Sequence, residues 1–472
     1  MVAISIINFS SSGFANLAST NVIPIPFLFN ISLANKHSFN LAPKLIIATF
    51  FGIIQNKKQI QSQKDAHKHI RQQWDEMDAA NPHSAAHFGT YAFKPISILN
   101  SLDEGVNSVT GVVLRLESHK QNEIAFSEAS QSLIISKFGK FKASLLFQFI
   151  IPLFLIFLSF NTYTSEISTG RLKLLIIQGN SLRKIVFAKI FSLLSLAATL
   201  LLLATLVQVF FNFKQIELDH ILRLSVFFSS YLAYYFIIIS FTVLMSLIFK
   251  NSTSALSLTI ITWILWTIFL PKTIGNFIEK AHPLSSRFEL KENMKDDRAK
   301  GIDGHNPFDK RKKELENNML IKYNVDSLSQ LPINFSGVVM QADEEYGNKV
   351  WDKHYGELYA TLKKQKRNYQ LSGFINPFAS LQSLSMGAAG TDLFHHLNFL
   401  TSAEKYRRYF IKTLNNEYAF GGSKTGESGW KASNSFFRSI KDFNYSPSLF
   451  VSVTSKYLID LVCLGFWVAG LV

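Results

Sequence analysis

The sequence predicts an all-α integral membrane protein with about six transmembrane helices and two large, mainly helical extracytoplasmic regions. Three observations carry that reading. Of 472 residues, 48% are hydrophobic and only 17% charged, with 43 Phe, a balance unlike that of soluble domains. Four runs, Ala143 to Phe160, Ile190 to Phe211, Leu224 to Phe249 and Ser254 to Leu270, contain no charged residue and approach or exceed the roughly 20 residues that cross a bilayer as a helix. None alternates as a barrel strand would, so only a helix can satisfy its backbone in lipid.

Taken in order, the chain divides into residues 1–56, an N-terminal segment with a weak first transmembrane helix; 57–142, a first extracytoplasmic region; 143–270, a four-helix transmembrane core with a cytoplasmic element at 161–189; 271–456, a second extracytoplasmic domain; and 457–472, a last helix that reads as truncated. The first crossing rests on Lys44 to Gln55, apolar but short, and requires the chain to enter the bilayer near Phe39 or earlier, with Pro43 inside the span. Residues 1–35 lack an early positive cluster and a compact apolar core ahead of a cleavage site, which argues against a cleaved signal peptide. Pro152 is expected to kink the first strong span. Only Lys250 to Thr253 separate the third and fourth, so those two form a tight antiparallel hairpin.

Orientation follows from the short loops. Arg171, Lys173, Arg183, Lys184 and Lys189 face only Glu166 between the first two strong spans, and the positive-inside rule puts that turn in the cytoplasm. The regions around 57–142 and 271–456 then lie outside. Lys57 to Met77, Asp309 to Tyr323 and Gln341 to Tyr369 read as polar helices, the first continuing the weak span upward. Asn81-Pro82, Asn306-Pro307 and Asn376-Pro377 read as breakers.

Net charge is +15, yet the cations are dispersed among acids and form no compact basic module, so nucleic acid is not an expected partner. Disorder and rod-like folds are excluded. The single Cys463 rules out an intramolecular disulfide or a multi-cysteine metal site.

Ser165 to Lys189 is the most informative stretch. Leu172, Leu175 and Ile176 fall at helical spacing between Gly170 and Gly179, so the segment is either a basic anchor on the membrane surface or an interfacial helix that inserts into a cytoplasmic partner. Glu166, Gly170, Leu172, Leu174, Leu175, Gln178, Arg183 and Lys189 resemble the segment after the second span of type 2 ABC exporter permeases. In that family this element contacts a separate ATP-binding subunit. Carried over, Glu166 caps or pins the element and Arg183 and Lys189 anchor its exit. Arg171 stands where the family often has Thr, and Gly179-Asn180 where it often has Pro-Val. NPHSAAHFGTYAFKP (81–95), LDEG (102–105), LESHKQN (116–122), HPLSSRFE (282–289), GIDGHNP (301–307), MQADEEYGN (340–348) and SLSMGAAGTDLFHH (383–396) are similar to a bacterial subgroup with large outer domains. The resemblance covers roughly residues 57–456, names no cargo, and departs over residues 1–40, where a basic interfacial helix and a full first span would be expected.

The resemblance implies a permease subunit of an ATP-driven exporter in the bacterial inner membrane, paired with a second copy or a paralogue and docked on a dimer of ATP-binding subunits. It implies no cofactor, no metal and no catalysis by this chain. Gly422-Ser423-Lys424-Thr425 fails phosphate-loop spacing and reads as a solvated loop. Two other functions are weighed: a mechanotransmission complex acting on envelope proteins, and a membrane-anchored extracytoplasmic metal-dependent hydrolase. For the latter, His83 and His87 are spaced to share a helical face but lack the Glu of a zinc-peptidase motif. His395 and His396 are adjacent and would point about 100° apart. Asp343, Glu344 and Glu345 read as a solvated helix face, with a cation or substrate contact as the sharper alternative.

Overall fold

The computed structural model describes residues 25–119, 121, 143–302, 304–427 and 429–472, with side chains from residue 41. Readings on residues 1–24, 120 and 122–142 fall outside them. In chain order the principal elements are α1 (Ile25–Asp75), α2 (Pro82–Phe88), β1 (Thr90–Phe93), β2 (Val113–Leu116), α3 (Ala143–Ser168), α4 (Arg171–Ile177), α5 (Leu182–Gln215), α6 (Leu218–Ile248) and α7 (Ser252–Ala281). There follow α8 (Arg287–Lys300), α9 (Phe308–Tyr323), α10 (Phe335–Leu371), α11 (Pro377–Ala389), α12 (Leu393–Phe420), α13 (Asn434–Ser439) and α14 (Phe450–Gly470).

Among the described residues five helices, α3, α5, α6, α7 and α14, are long and apolar enough to cross a membrane. The protein is multi-pass. The sixth expected crossing, Lys44 to Gln55, is not among them, because its apolar run stops at Asn56, Lys57 and Lys58. It lies within α1, buries Leu45, Ala48 and Ile53, and packs along α5. The polar stretch after it continues the same helix to Asp75.

Two of the five spans contain a π turn, Leu146–Ile150 in α3 and Leu265–Phe269 in α7, each ending two residues before a proline, Pro152 or Pro271. Proline has no N–H to give and its ring crowds the carbonyl one turn back. A wider turn relieves that crowding. Phe147, five residues before Pro152, instead accepts a hydrogen bond from Tyr235 Oη at 2.8 Å.

The two polar regions fold as one body. Trp74 of α1 and Ala85 and Ala86 of α2 share a core with Phe410, Ile411 and Leu414 of α12 and Phe437 of α13. A small antiparallel hairpin departs from the all-α expectation: β1 and β2 pair Thr90 with Leu116 and Phe93 with Val113. Its Ala92, Leu114 and Leu116 pack on Phe399 and Ala403 of α12. All three Asn–Pro breakers stand at helix starts, Pro307 immediately preceding α9. Asn81 and Asn376 accept from the N–H two residues on, with Pro82 and Pro377 in the first turn, where a missing N–H costs nothing.

The second polar region also enters the span bundle. Helix α11 is buried along almost its whole length between α6 and α14. Its first turn sets Phe378 against Phe149 and Tyr234 (ring centroids 5.4 and 6.0 Å). At its far end the carbonyls of Gly387 and Ala388 accept from Arg223 Nη1 at 3.3 and 3.4 Å. A cation there satisfies last-turn carbonyls and suits the negative end of the helix dipole. Close approach needs a small residue: a Cβ on Gly387 would run into the Tyr457 ring.

Candidate functional site

The turn joining α3 to α5 is assembled from three short pieces. Helix α3 ends in a final turn, Thr164–Ser168, whose start is sewn to α6 and α7: Ser246 Oγ accepts from the N–H groups of Tyr163 and Thr164 at 2.9 and 3.2 Å, and Thr164 Oγ1 lies 2.5 Å from Ser252 Oγ. Gly170, at φ +73°, reverses the chain into α4, and Gly179, at φ +89°, reverses it again. Both are left-handed positions that a β-carbon disfavours. Ser181 then caps α5 by accepting from Lys184 N at 3.4 Å.

One ion pair closes this turn from inside. Lys189 Nζ lies 2.6 Å from Glu166 Oε2, both side chains almost fully shielded. The ammonium also donates to Thr162 O at 3.1 Å and sits 4.4 Å above the Tyr163 ring. A buried pair of this kind is costly to split, since the surviving charge has no water. Glu166 and Lys189 therefore clamp the end of α3 to the start of α5.

The apolar residues of the turn divide in a way that spacing alone did not show. Leu175 is only 6% exposed and Leu172 rests on the span core, so this pair faces inward rather than toward a partner. Left in the open are Ile167, Leu174, Ile176 and Ile177, at 44%, 61%, 47% and 72% exposure. Arg171, Lys173, Gln178, Arg183 and Lys184 are exposed around it. Of the three residues at helical spacing, Leu172 and Leu175 pack inward and Ile176 stays exposed, because both sides of the short helix carry leucine or isoleucine. What the structure brings together is Glu166 with Lys189, Gly170 and Gly179 as paired reversals, and an uncovered apolar patch ringed by cations.

The remaining candidates are dispersed. His395 Nδ1 lies 2.6 Å from Asp392 Oδ1, whereas His396 Nδ1 is 3.3 Å from Thr110 Oγ1, so the adjacent pair serves two separate contacts. Burial raises the Asp392 carboxyl pKa, but the His395 hydrogen bond, its charge and that of Lys366 outweigh it and bring the group to about 2. Burial, with the Lys94 charge beside it, pushes His396 down to about 4. The acidic run is solvated only at Glu345; Asp343 and Glu344 are paired and largely shielded. Asp343 meets Arg298 Nη2 at 2.5 Å, Glu344 meets Arg407 Nη1 at 3.1 Å, and Glu345 meets Lys412 Nζ at 3.0 Å. Adjacent acids on α10 point to different neighbours, α8 for one and α12 for the other two. The Gly421–Gly426 stretch is anchored too: Asn334 Nδ2 donates to a buried Ser423 Oγ at 2.8 Å and Thr425 Oγ1 to Ile333 O at 3.0 Å.

A polar seam inside the bundle went unseen in the sequence. Asp103 Oδ2 accepts from Ser385 Oγ at 2.5 Å and from Gln148 Nε2 at 3.2 Å, and Tyr231 Oη lies 2.9 Å from the same serine hydroxyl. Nearby, Asp460 Oδ2 accepts from Gln370 Nε2 at 2.5 Å and from Ser383 Oγ at 2.7 Å, and Lys366 Nζ reaches that Ser383 Oγ at 2.7 Å. Ionisable groups among apolar spans are expensive and concentrate at working parts of membrane proteins. Asp460 in an otherwise apolar terminal run was the available signal.

Two matches to known families exist. Residues 287–445 match a domain of unknown function (DUF3526), and residues 111–276 match a protein of unknown function (DUF2705). The boundary between them falls just after α7 begins its polar end. No curated protein and no solved structure matches the chain.

Proposed function

We propose that the chain is the permease subunit of an ATP-driven ABC exporter in a bacterial inner membrane, and that the 165–189 turn docks on a separate ATP-binding subunit. The observation that carries this is the uncovered patch of Ile167, Leu174 and Ile177 on a turn rigidly held by the Glu166–Lys189 clamp. Exposed apolar residues ringed by cations suit insertion into a groove of a soluble partner. Because the turn is pinned to α6 and α7 through Ser246 and Ser252, a push on it would move the bundle as a rigid body. With the turn cytoplasmic, the polar body lies on the outer face. A second copy of the chain, or a paralogue, completes the membrane unit.

One observation favours a mechanotransmission variant of this machine. Helix α11 belongs to the polar region yet runs through the span bundle, tied to α6 by Arg223 and to α14 by Asp460. A change in the packing of the spans would be carried directly into the polar body, with or without cargo crossing the bilayer.

The test uses the full chain co-expressed with its ATP-binding subunit. Leu174→Asp with Ile177→Asp should abolish co-purification and coupled ATPase activity while leaving expression and thermal stability unchanged. Retained docking by that double variant would contradict the proposal. Reconstitution in sealed vesicles then separates the two modes: ATP-dependent cargo movement supports export, whereas ATP-dependent protection of the polar body from protease without transport supports mechanotransmission.

A further inference from the structure

The i, i+4 spacing of His83 and His87 places two imidazoles on one helical face. In the folded chain a third imidazole arrives from a distant turn. Helix α2 begins at the Asn81 cap, with His83 N donating to Asn81 Oδ1 at 2.8 Å, and its i, i+4 spacing brings His83 Nε2 and His87 Nε2 to 3.2 Å. After β2 the chain folds back over α2, Ser118 N donating to Ala86 O at 3.1 Å, and delivers His119. The ring centroid of His119 lies 5.7 Å from that of His83 and 5.1 Å from that of His87. One ring nitrogen from each of the three falls within 4.8 Å of the others. Nitrogens bound to one tetrahedral zinc at about 2.0–2.1 Å stand about 3.3 Å apart, so the first pair already has that spacing and the third closes on it from within 4.8 Å.

The supports around these rings favour ligation. His119 has φ +64°, rare for a residue with a side chain. Glu344 Oε1 holds it there, accepting from the His119 backbone N–H and lying 3.0 Å from His119 Nδ1. A carboxylate on Nδ1 puts the proton on that nitrogen and leaves Nε2 with its lone pair free. Glu344 is itself fixed by Arg407. His87 has a matching partner, Ser118 Oγ, 3.2 Å from its Nδ1. His87 is exposed and the other two are half-buried, so the site opens to solvent.

We propose that His83, His87 and His119 bind one late first-row divalent cation, zinc or copper(II), with Glu344 and Ser118 orienting two of the three rings. Three neutral imidazoles suit those ions and offer nothing to calcium or magnesium. The bound ion would tie the 82–119 segment to α10 through Glu344, which makes the polar body responsive to metal supply. This goes beyond the exporter reading and does not depend on it.

The experiment uses the full chain in detergent, its affinity tag removed and its metal stripped with chelator. Titration with Zn2+ against a chromophoric chelator should give one ion per chain, and Co2+ should give the intense visible bands of a low-coordinate nitrogen site. His87→Ala, which removes an exposed ring with little packing, should weaken zinc binding by more than the roughly 10–100-fold that loss of an orienting partner costs. Ser118→Ala should weaken it by about 10-fold. His69→Ala, on exposed α1, should change nothing. Copper(II) titration in parallel ranks the two ions. Zinc binding undiminished in both His83→Ala and His87→Ala, or no stoichiometric site in the unmodified chain, would overturn the assignment.

Discussion

The two ends of the span bundle solve the same problem, holding charge away from water, in opposite ways. At the α3–α5 turn a single pair, Glu166 with Lys189, is shielded, and the apolar residues beside it stay uncovered. In the polar body at the other end, Arg407 is 1% exposed and satisfied on all sides: Glu404 at 2.8 and 2.9 Å, Glu344 at 3.1 Å, Asn348 at 2.6 Å, and the Trp351 ring 4.6 Å from its guanidinium. The network around Arg407 is complete in itself. On the proposed reading the turn is not, its uncovered patch being the surface that meets the ATP-binding subunit.

The largest effect should come from breaking the complete end. Arg407→Met leaves Glu344 and part of Glu404 buried without their cation, which typically costs about 3–5 kcal/mol. Thermal unfolding followed by Trp fluorescence should show the polar body melting earlier while helical content of the spans persists. If the variant melts like the parent, the network is ornamental and the contrast between the two ends fails.

Acid attacks the same network more gently. Burial raises the Glu344 carboxyl pKa, but the His119 hydrogen bond and the Arg407 charge outweigh it and bring the group down to about 2. A carboxyl lowered on folding contributes stability that is fully present above its ordinary value near 4.5 and is lost as pH falls toward 2. The contribution is about 3 kcal/mol. Melting temperature should drop across that window, and Glu344→Gln should flatten the drop in part, the remainder reflecting Asp392, which is lowered to about 2 as well.

The sequence revealed the spans because uncharged runs leave few other possibilities, and it revealed the polar helices because their composition favours them. It did not reveal what tertiary contact decides. Helix α11 reads as part of the second extracytoplasmic domain, yet its serines turn inward to Asp103 and Asp460, partners far away in the chain. The hairpin of β1 and β2 is four residues a side, too short for a periodic signal. At the candidate turn the glycines and the clamp residues Glu166 and Lys189 were legible. The facing of Leu172 and Leu175 was not, since a seven-residue helix with apolar residues all round has no clear moment. The third histidine, His119, was hidden for a related reason: thirty-two positions of chain, with a strand pair between, separate it from His87.

The incomplete end offers a finer contrast within one helix turn. Leu175→Ala removes a buried side chain and should cost about 2 kcal/mol, at the low end for core truncations. Leu174→Ala, one residue earlier and exposed, should stay within about 0.5 kcal/mol. Equal costs for the two would mean that the face assigned to the partner is in fact part of the fold. The smallest expected effect isolates the backbone. Among the described residues nothing lies within 4 Å of where a Cβ on Gly170 would stand, so Gly170→Ala meets no clash there and pays for a left-handed φ of +73°, about 1 kcal/mol. That penalty should appear as a slightly lower melting temperature with α4 still folded. If docking of the ATP-binding subunit fell much further than stability, the turn would have to hold its reversal rigidly to be recognised, and Gly170 would be there for the partner rather than for the chain.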